Sequence, residues 1–216
     1  MPAKVKKNIA VEVIERLKKK YPEVKCFLNH SNPFELLIST ILSAQCTDVR
    51  VNKVTVDLFK KYKTVQDYIA VPAAELEKDI FSLGFYSAKT KSIKNCCQYL
   101  IDNHNGKVPE NFDELTKIPG VGRKTASVVA GNAFGIPSIA VDTHVIRVSN
   151  ILGLVNTKDP IAIETELKAM LPEKDWINSS HYLIMHGRNT CIARRPKCNE
   201  CLLADICPNY DYAAKK

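Results

Sequence analysis

Leu115-Thr116-Lys117-Ile118-Pro119-Gly120-Val121-Gly122-Arg123-Lys124-Thr125-Ala126 is the stretch on which the fold turns. It reads as the end of one helix, a tight glycine turn and the start of a second helix. Gly120 and Gly122 are expected to permit positive φ and to leave no side chain in the turn. Consecutive N–H groups at the start of the second helix, Gly120, Val121, Gly122 and Arg123 among them, can then face a phosphate. Neutral amides and a helix dipole hold a nucleic-acid backbone without reading its sequence. The plainer alternative is a turn between two core helices, against which stand the neighbouring cations Arg123 and Lys124.

Working outward, apolar residues recur at helical rather than alternating spacing. Ala10, Val13, Ile14, Leu17 and Tyr21 form a stripe stopped by Pro22. Asn32-Pro33-Phe34-Glu35 supplies a cap, a first-turn proline and a first-turn acid ahead of Phe34, Leu37, Ile38, Ile41 and Leu42. Similar stripes run through Val51/Val54/Leu58, Ile93/Cys96/Cys97/Leu100/Ile101, Ala126/Val129/Ala130/Ala133, Val141/Val145/Val148/Leu152 and Ile163/Leu167/Met170/Leu171. Glycine is sparse, 8 in 216 residues, which argues against a sandwich or barrel. The expected fold is all-α.

The chain is long enough to bury a real core without disulfides. Its 31 Lys+Arg against 23 Asp+Glu leave a net charge of +8, which favours partners that carry phosphate over small-molecule metabolism. No run of about 18 apolar residues would span a bilayer. The basic start, Met1-Pro2-Ala3-Lys4-Val5-Lys6-Lys7, is followed by no apolar signal core. The expectation is an intracellular protein, cytoplasmic and nucleoid-associated if prokaryotic, monomeric and without a membrane partner.

Cysteine usage agrees with a reducing compartment. Cys26, Cys46, Cys96 and Cys97 are scattered and expected to be buried packing residues. Cys191, Cys198, Cys201 and Cys207 instead follow the spacing C-x6-C-x2-C-x5-C. Four thiolates so close in sequence can close one metal site, and spacing alone leaves zinc and an iron–sulfur cluster both open. Arg194, Arg195 and Lys197 lie between the first two cysteines. A metal would pin this loop and present the three cations to phosphates, although a solvated charge run is the plainer alternative.

The 115–126 segment resembles the helix-hairpin-helix of the endonuclease III family of DNA glycosylases. Three more segments resemble family motifs in the same order: Leu42-Ser43-Ala44-Gln45-Cys46-Thr47-Asp48, Ile139-Ala140-Val141-Asp142-Thr143-His144 and His186-Gly187-Arg188-Asn189-Thr190-Cys191. Similarity runs from about Phe34 to Cys207. It implies two helical lobes, residues 26–136 with the hairpin and residues 1–25 plus 137–216 with a C-terminal [4Fe–4S] cluster on the four cysteines. Lys124 falls where bifunctional members carry a nucleophilic lysine, and Asp142 where they carry a catalytic aspartate, the two facing each other across a cleft.

The chemistry can be rebuilt from residue types. An amine that attacks a sugar C1′ must be partly unprotonated, and free lysine has a pKa of about 10.4, so a helix N-terminus beside an arginine is apt. A carboxylate stabilises the oxocarbenium-like charge of the breaking glycosidic bond and helps proton transfer. The plainer alternatives are a phosphate-contacting lysine and a helix N-cap. A base must leave the stack to react, and the vacated space must be filled. Gln45 resembles the family residue that enters the gap, with a surface or capping glutamine as alternative. Phe85 in Leu83-Gly84-Phe85-Tyr86 aligns with a second wedge, often leucine in relatives. Asp48 and His144 either orient a catalytic partner or are structural.

The resemblance therefore implies a bifunctional glycosylase and abasic-site lyase that removes oxidised or damaged pyrimidines from duplex DNA and cuts by β-elimination. The nearest alternative is a glycosylase for thymine or uracil opposite guanine, or for pyrimidine dimers. Adenine-mismatch enzymes generally lack the lysine. A DNA-binding module without catalysis would need neither Lys124 nor Asp142.

Overall fold

Asn32 caps α2 (Pro33–Leu42) as its sequence dictates: its side chain accepts from the Glu35 amide, and Pro33 occupies the first turn, where no N–H is needed. A computed structural model of the chain describes residues 3–210. Met1 and Pro2, the start of the basic N-terminus, lie outside the described residues. Every regular element among those residues is helical. None is long and apolar enough to cross a membrane.

The chain divides into two compact units, Cys26–Ile136 and Met1–Lys25 with Pro137–Lys216. The first contains α2, α3 (Asp48–Lys61), α4 (Val65–Ala70), α5 (Ala73–Ile80), α6 (Tyr86–His104), α7 (Phe112–Lys117) and α8 (Arg123–Phe134). A single 3-10 turn, Phe81–Leu83, joins α5 to α6. Leu36, Leu37, Ile38 and Leu42 of α2 are completely buried, and α8, α6 and α3 pack around them. Each such side chain contributes about 1.5–3 kcal/mol of transfer free energy, against about 1 kcal/mol for a cap. Burial of α2 thus holds this unit together, and caps only fix where helices begin.

The second unit contains α1 (Ala3–Lys20), α9 (Thr143–Ile151), α10 (Pro160–Met170) and α11 (Trp176–Asn189). Ala10, Val13, Ile14 and Leu17 of α1 are buried where α1 packs on α10 and α11. Helix α9 lies close on α11 because Gly187 has no side chain. A Cβ there would stand 3.0 Å from His144 Nδ1 and 3.1 Å from both Arg147 Nη2 and Val148 Cγ2. Trp176 is half-buried and donates from Nε1 to Leu171 O at 3.0 Å.

Three details depart from the sequence reading. Tyr21 falls just past the end of α1. Cys96 and Cys97 are fully buried, but Cys26 and Cys46 are only half-buried because they sit in the connections flanking α2. Gly122 adopts φ −80°, ψ 173°, extended backbone open to any residue, so only Gly120 of the hairpin, at φ +84°, uses a glycine's freedom.

Candidate active site and metal centre

The hairpin is built by α7, the turn Ile118–Gly122 and α8. Asn111 caps α7 through the amides of Asp113 and Glu114. Ile118 and Val121 are buried and anchor the turn from below, and the Val121 amide donates to Ile118 O at 3.0 Å. Gly120 passes over Ser92, whose Cβ would lie 3.3 Å from an added Cβ. The N-cap Gly122 offers no side-chain acceptor, so the leading amides of α8 have no side-chain cap. A Cβ on Gly122 would meet open space. The turn thus presents bare backbone outward, the arrangement that accepts an anion. Arg123 lies with its guanidinium 5.2 Å from the Phe112 ring centroid, which ties the two helices at the surface.

Lys124 is exposed on the first turn of α8. Asp142 is the half-buried N-cap of α9, accepting from the Val145 amide at 2.8 Å. The capping alternative raised by the sequence is therefore real, and it coexists with a second carboxylate oxygen that capping leaves unused. His144 lies in the same first turn, within 3.3 Å of Arg147 Nη2.

Gln45 and Phe85 share a conformational peculiarity. Both are exposed, and with Asn105 they are the described non-glycine residues at positive φ, 53° for Gln45 and 48° for Phe85. A bulky residue there is costly and persists only where its surroundings over-determine it. Gln45 lies in the turn between α2 and α3, and Phe85 caps the start of α6.

Cys191, Cys198, Cys201 and Cys207 line one pocket, together with His186, Thr190, Ile151 and Leu152. None of the eight cysteines forms a disulfide. Among the described residues no three His, Cys, Asp or Glu side chains gather closely enough for one metal ion. Four thiols spread around a common cavity suit a cluster with several irons better than one zinc, whose thiolates would sit at about 2.3 Å from a shared centre.

The walls of the cavity are fixed from three helices. Arg147 donates from Nη1 to Cys191 O and from Nη2 to Gly187 O at 3.0 Å. His186 Nε2 is 3.8 Å from Cys201 Sγ, and burial lowers the imidazole pKa to about 4. Arg16 grips Asp205 with two bonds of 2.6 and 3.0 Å, and Lys20 donates to Thr190 Oγ1 at 3.3 Å. Sequence reasoning passed over Arg147, Arg16 and Lys20, which carry no local signal. Arg194, Arg195 and Lys197 are exposed on the loop between the first two cysteines, and the Lys197 amide closes it on Thr190 O at 2.9 Å.

Residues 38–173 match the HhH-GPD superfamily of base excision DNA repair proteins, and residues 191–207 match the iron–sulfur binding domain of endonuclease III. Endonuclease III of Bacillus subtilis (strain 168) is 49% identical over 195 residues, 90% of this chain and 89% of that protein. A solved non-covalent endonuclease III–DNA complex superposes with a TM-score of 0.90 at 49% identity, covering 94% of this chain and 95% of the other. A trapped endonuclease III–DNA covalent intermediate, an estranged-adenine complex, gives 0.90 at 48%, covering 94% and 96%. The chain belongs to the endonuclease III family within the HhH-GPD superfamily. It is a base excision repair DNA glycosylase with abasic-site lyase activity and carries a [4Fe–4S] cluster.

Proposed function

We propose that the enzyme excises oxidised or ring-damaged pyrimidines and cleaves the strand 3′ to the resulting abasic sugar, with Lys124 as nucleophile and Asp142 as the catalytic carboxylate. The observation that carries this assignment is the place of Lys124, exposed in the first turn of the helix whose leading amides lack a side-chain cap. A DNA backbone gripped at those amides arrives within reach of the amine, so binding and attack share one helical turn.

In the proposed reaction the lysine Nζ electron pair forms a bond to C1′ as the C1′–N glycosidic bond breaks, and the base leaves with that bond's electrons and a proton. Asp142 stabilises positive charge on the sugar and relays protons around the amine. Ring opening gives a protonated Schiff base. Loss of a C2′ proton then expels the 3′ phosphate, and water hydrolyses the imine to free the lysine. Gln45 and Phe85 fill the gap left by the extruded nucleotide. Gly120, Val121, Gly122 and Arg123 hold the backbone on one side, and Arg194, Arg195 and Lys197 on another.

Cys191, Cys198, Cys201 and Cys207 would hold the cluster as thiolates. When bound, it cross-links the loop and fixes the shape that displays its cations. Likeness to a bacterial relative supports a cytoplasmic, nucleoid-associated enzyme.

Lys124→Ala is expected to abolish borohydride-trapped protein–DNA adducts on abasic duplex while keeping duplex affinity within about threefold. Normal trapping by that variant would remove the assignment. A panel of duplexes bearing thymine glycol, uracil, mismatched thymine and a pyrimidine dimer ranks the lesion classes. Faster release of mismatched thymine than of thymine glycol would overturn the pyrimidine-damage reading.

A further inference from the structure

A lysine with no role in the chemistry above lies in the interior of the hairpin unit. Lys89, in the first turn of α6, is only 4% exposed. Its Nζ donates to Leu83 O at 3.0 Å, and its own backbone amide donates to Phe85 O at 2.9 Å. One residue therefore binds the carbonyls on both sides of Gly84-Phe85, the pair at φ +67° and +48°.

Other contacts pin the same turn at its base. Leu83 is buried, the Gly84 amide donates to Phe81 O at 3.2 Å, and the Phe81 and Tyr86 rings meet at 4.9 Å. Phe85 itself is 65% exposed. The ammonium also senses the sulfur of Cys46, the residue after Gln45, and its burial lowers its pKa.

An ammonium is expensive to bury, and a methionine would fill the same space at no electrostatic cost. What methionine cannot do is donate to Leu83 O. A strained backbone lasts only if it is over-determined, and Lys89 supplies the bond at Leu83 O, the carbonyl that leads into the positive-φ pair. We infer that Lys89 is a positioning residue, which holds the Gly84-Phe85 turn in the shape that drives the Phe85 ring into the DNA stack. This rests on the assignment of Phe85 as a wedge.

The test compares Lys89→Met, Lys89→Arg, Phe85→Ala and the double variant Lys89→Met/Phe85→Ala, all in the cluster-loaded protein and checked for folding by circular dichroism. Two substrates are used, a duplex with thymine glycol opposite 2-aminopurine and a single-stranded abasic oligonucleotide that has no stack to enter. Lys89→Met is expected to lower kcat on the duplex about tenfold, to lower the 2-aminopurine fluorescence rise on binding, and to cut the single strand within about twofold of the parent. Lys89→Arg is expected to recover most of both duplex signals. On the Phe85→Ala background Lys89→Met should add less than about twofold, since it acts through that ring.

Unchanged duplex turnover and fluorescence in Lys89→Met would overturn the inference. So would an equal loss on the single strand, or a full additional loss on the Phe85→Ala background. If Phe85→Ala alone leaves duplex turnover intact, the wedge assignment fails and takes the positioning role with it.

Discussion

Asp142 does two jobs that substitutions can separate. As N-cap of α9 it accepts from the Val145 amide, and as a carboxylate it is proposed to face cationic charge on the sugar. Asparagine caps as well as aspartate, whereas alanine does not cap. Asp142→Asn is thus expected to keep unfolding stability within about 0.5 kcal/mol, and Asp142→Ala to lose about 1 kcal/mol in urea melts. Both should lower base release by at least about 100-fold, because both remove the negative charge. Near-normal excision by Asp142→Asn would show that the carboxylate acts only as a cap.

At the scale of elements, the two hairpin glycines answer to different masters. Gly120 is demanded by the protein, through φ +84° and the nearness of Ser92. Gly122 has ordinary backbone angles and open space beside it, and it is proposed to make room for the DNA backbone. Gly120→Ala is expected to cost about 1–2 kcal/mol of stability. Gly122→Ala should cost about 0.7 kcal/mol, the difference between glycine and alanine as caps, yet weaken duplex binding about tenfold. Urea melts beside fluorescence anisotropy check the contrast, and equal effects on stability and binding at both positions would refute it. The cluster loop makes its own prediction. Replacing Arg194, Arg195 and Lys197 with alanine should reduce the slope of log affinity against log salt by about 2–3, at about 0.9 per phosphate contact. An unchanged slope would place these cations away from DNA.

On the scale of the whole molecule, stability should fall in mild acid. Burial of His181 lowers its pKa to about 4, whereas an unfolded chain takes up that proton near about 6.5. The stability contributed by keeping this imidazole neutral is present above pH 6.5 or so and is lost as pH falls toward 4, because the unfolded state binds the extra proton throughout that window. Between pH 7 and 5 the loss due to His181 amounts to about 2 kcal/mol. His181→Gln should shrink the measured drop by that amount, and an identical drop in the variant would refute the assignment. The carboxylates Asp67, Asp79, Glu114 and Asp205 have lowered pKa values, so the stability they contribute is lost only as pH falls below about 4.5, beneath the interval from pH 7 to 5.

Much of this protein is written in segments of a dozen residues or fewer. The caps Asn32, Asp142 and Asp159, the turn at Gly120 and the cysteine spacing from Cys191 to Cys207 depend on neighbours in the chain, so the sequence by itself determined them. Their angles and bonds are short-range, and residue type nearly dictates them. Only the tertiary structure decided that Arg147 reaches Cys191, that Arg16 grips Asp205, that Gly187 lets α9 close on α11, and that a buried lysine props up the Phe85 turn. Arg147 and Arg16 act across 44 and 189 positions of chain, where no periodicity or propensity carries information. Lys89 is near its partner in sequence, but an ammonium looks like a solvated surface charge until the helices packed around it exclude the water.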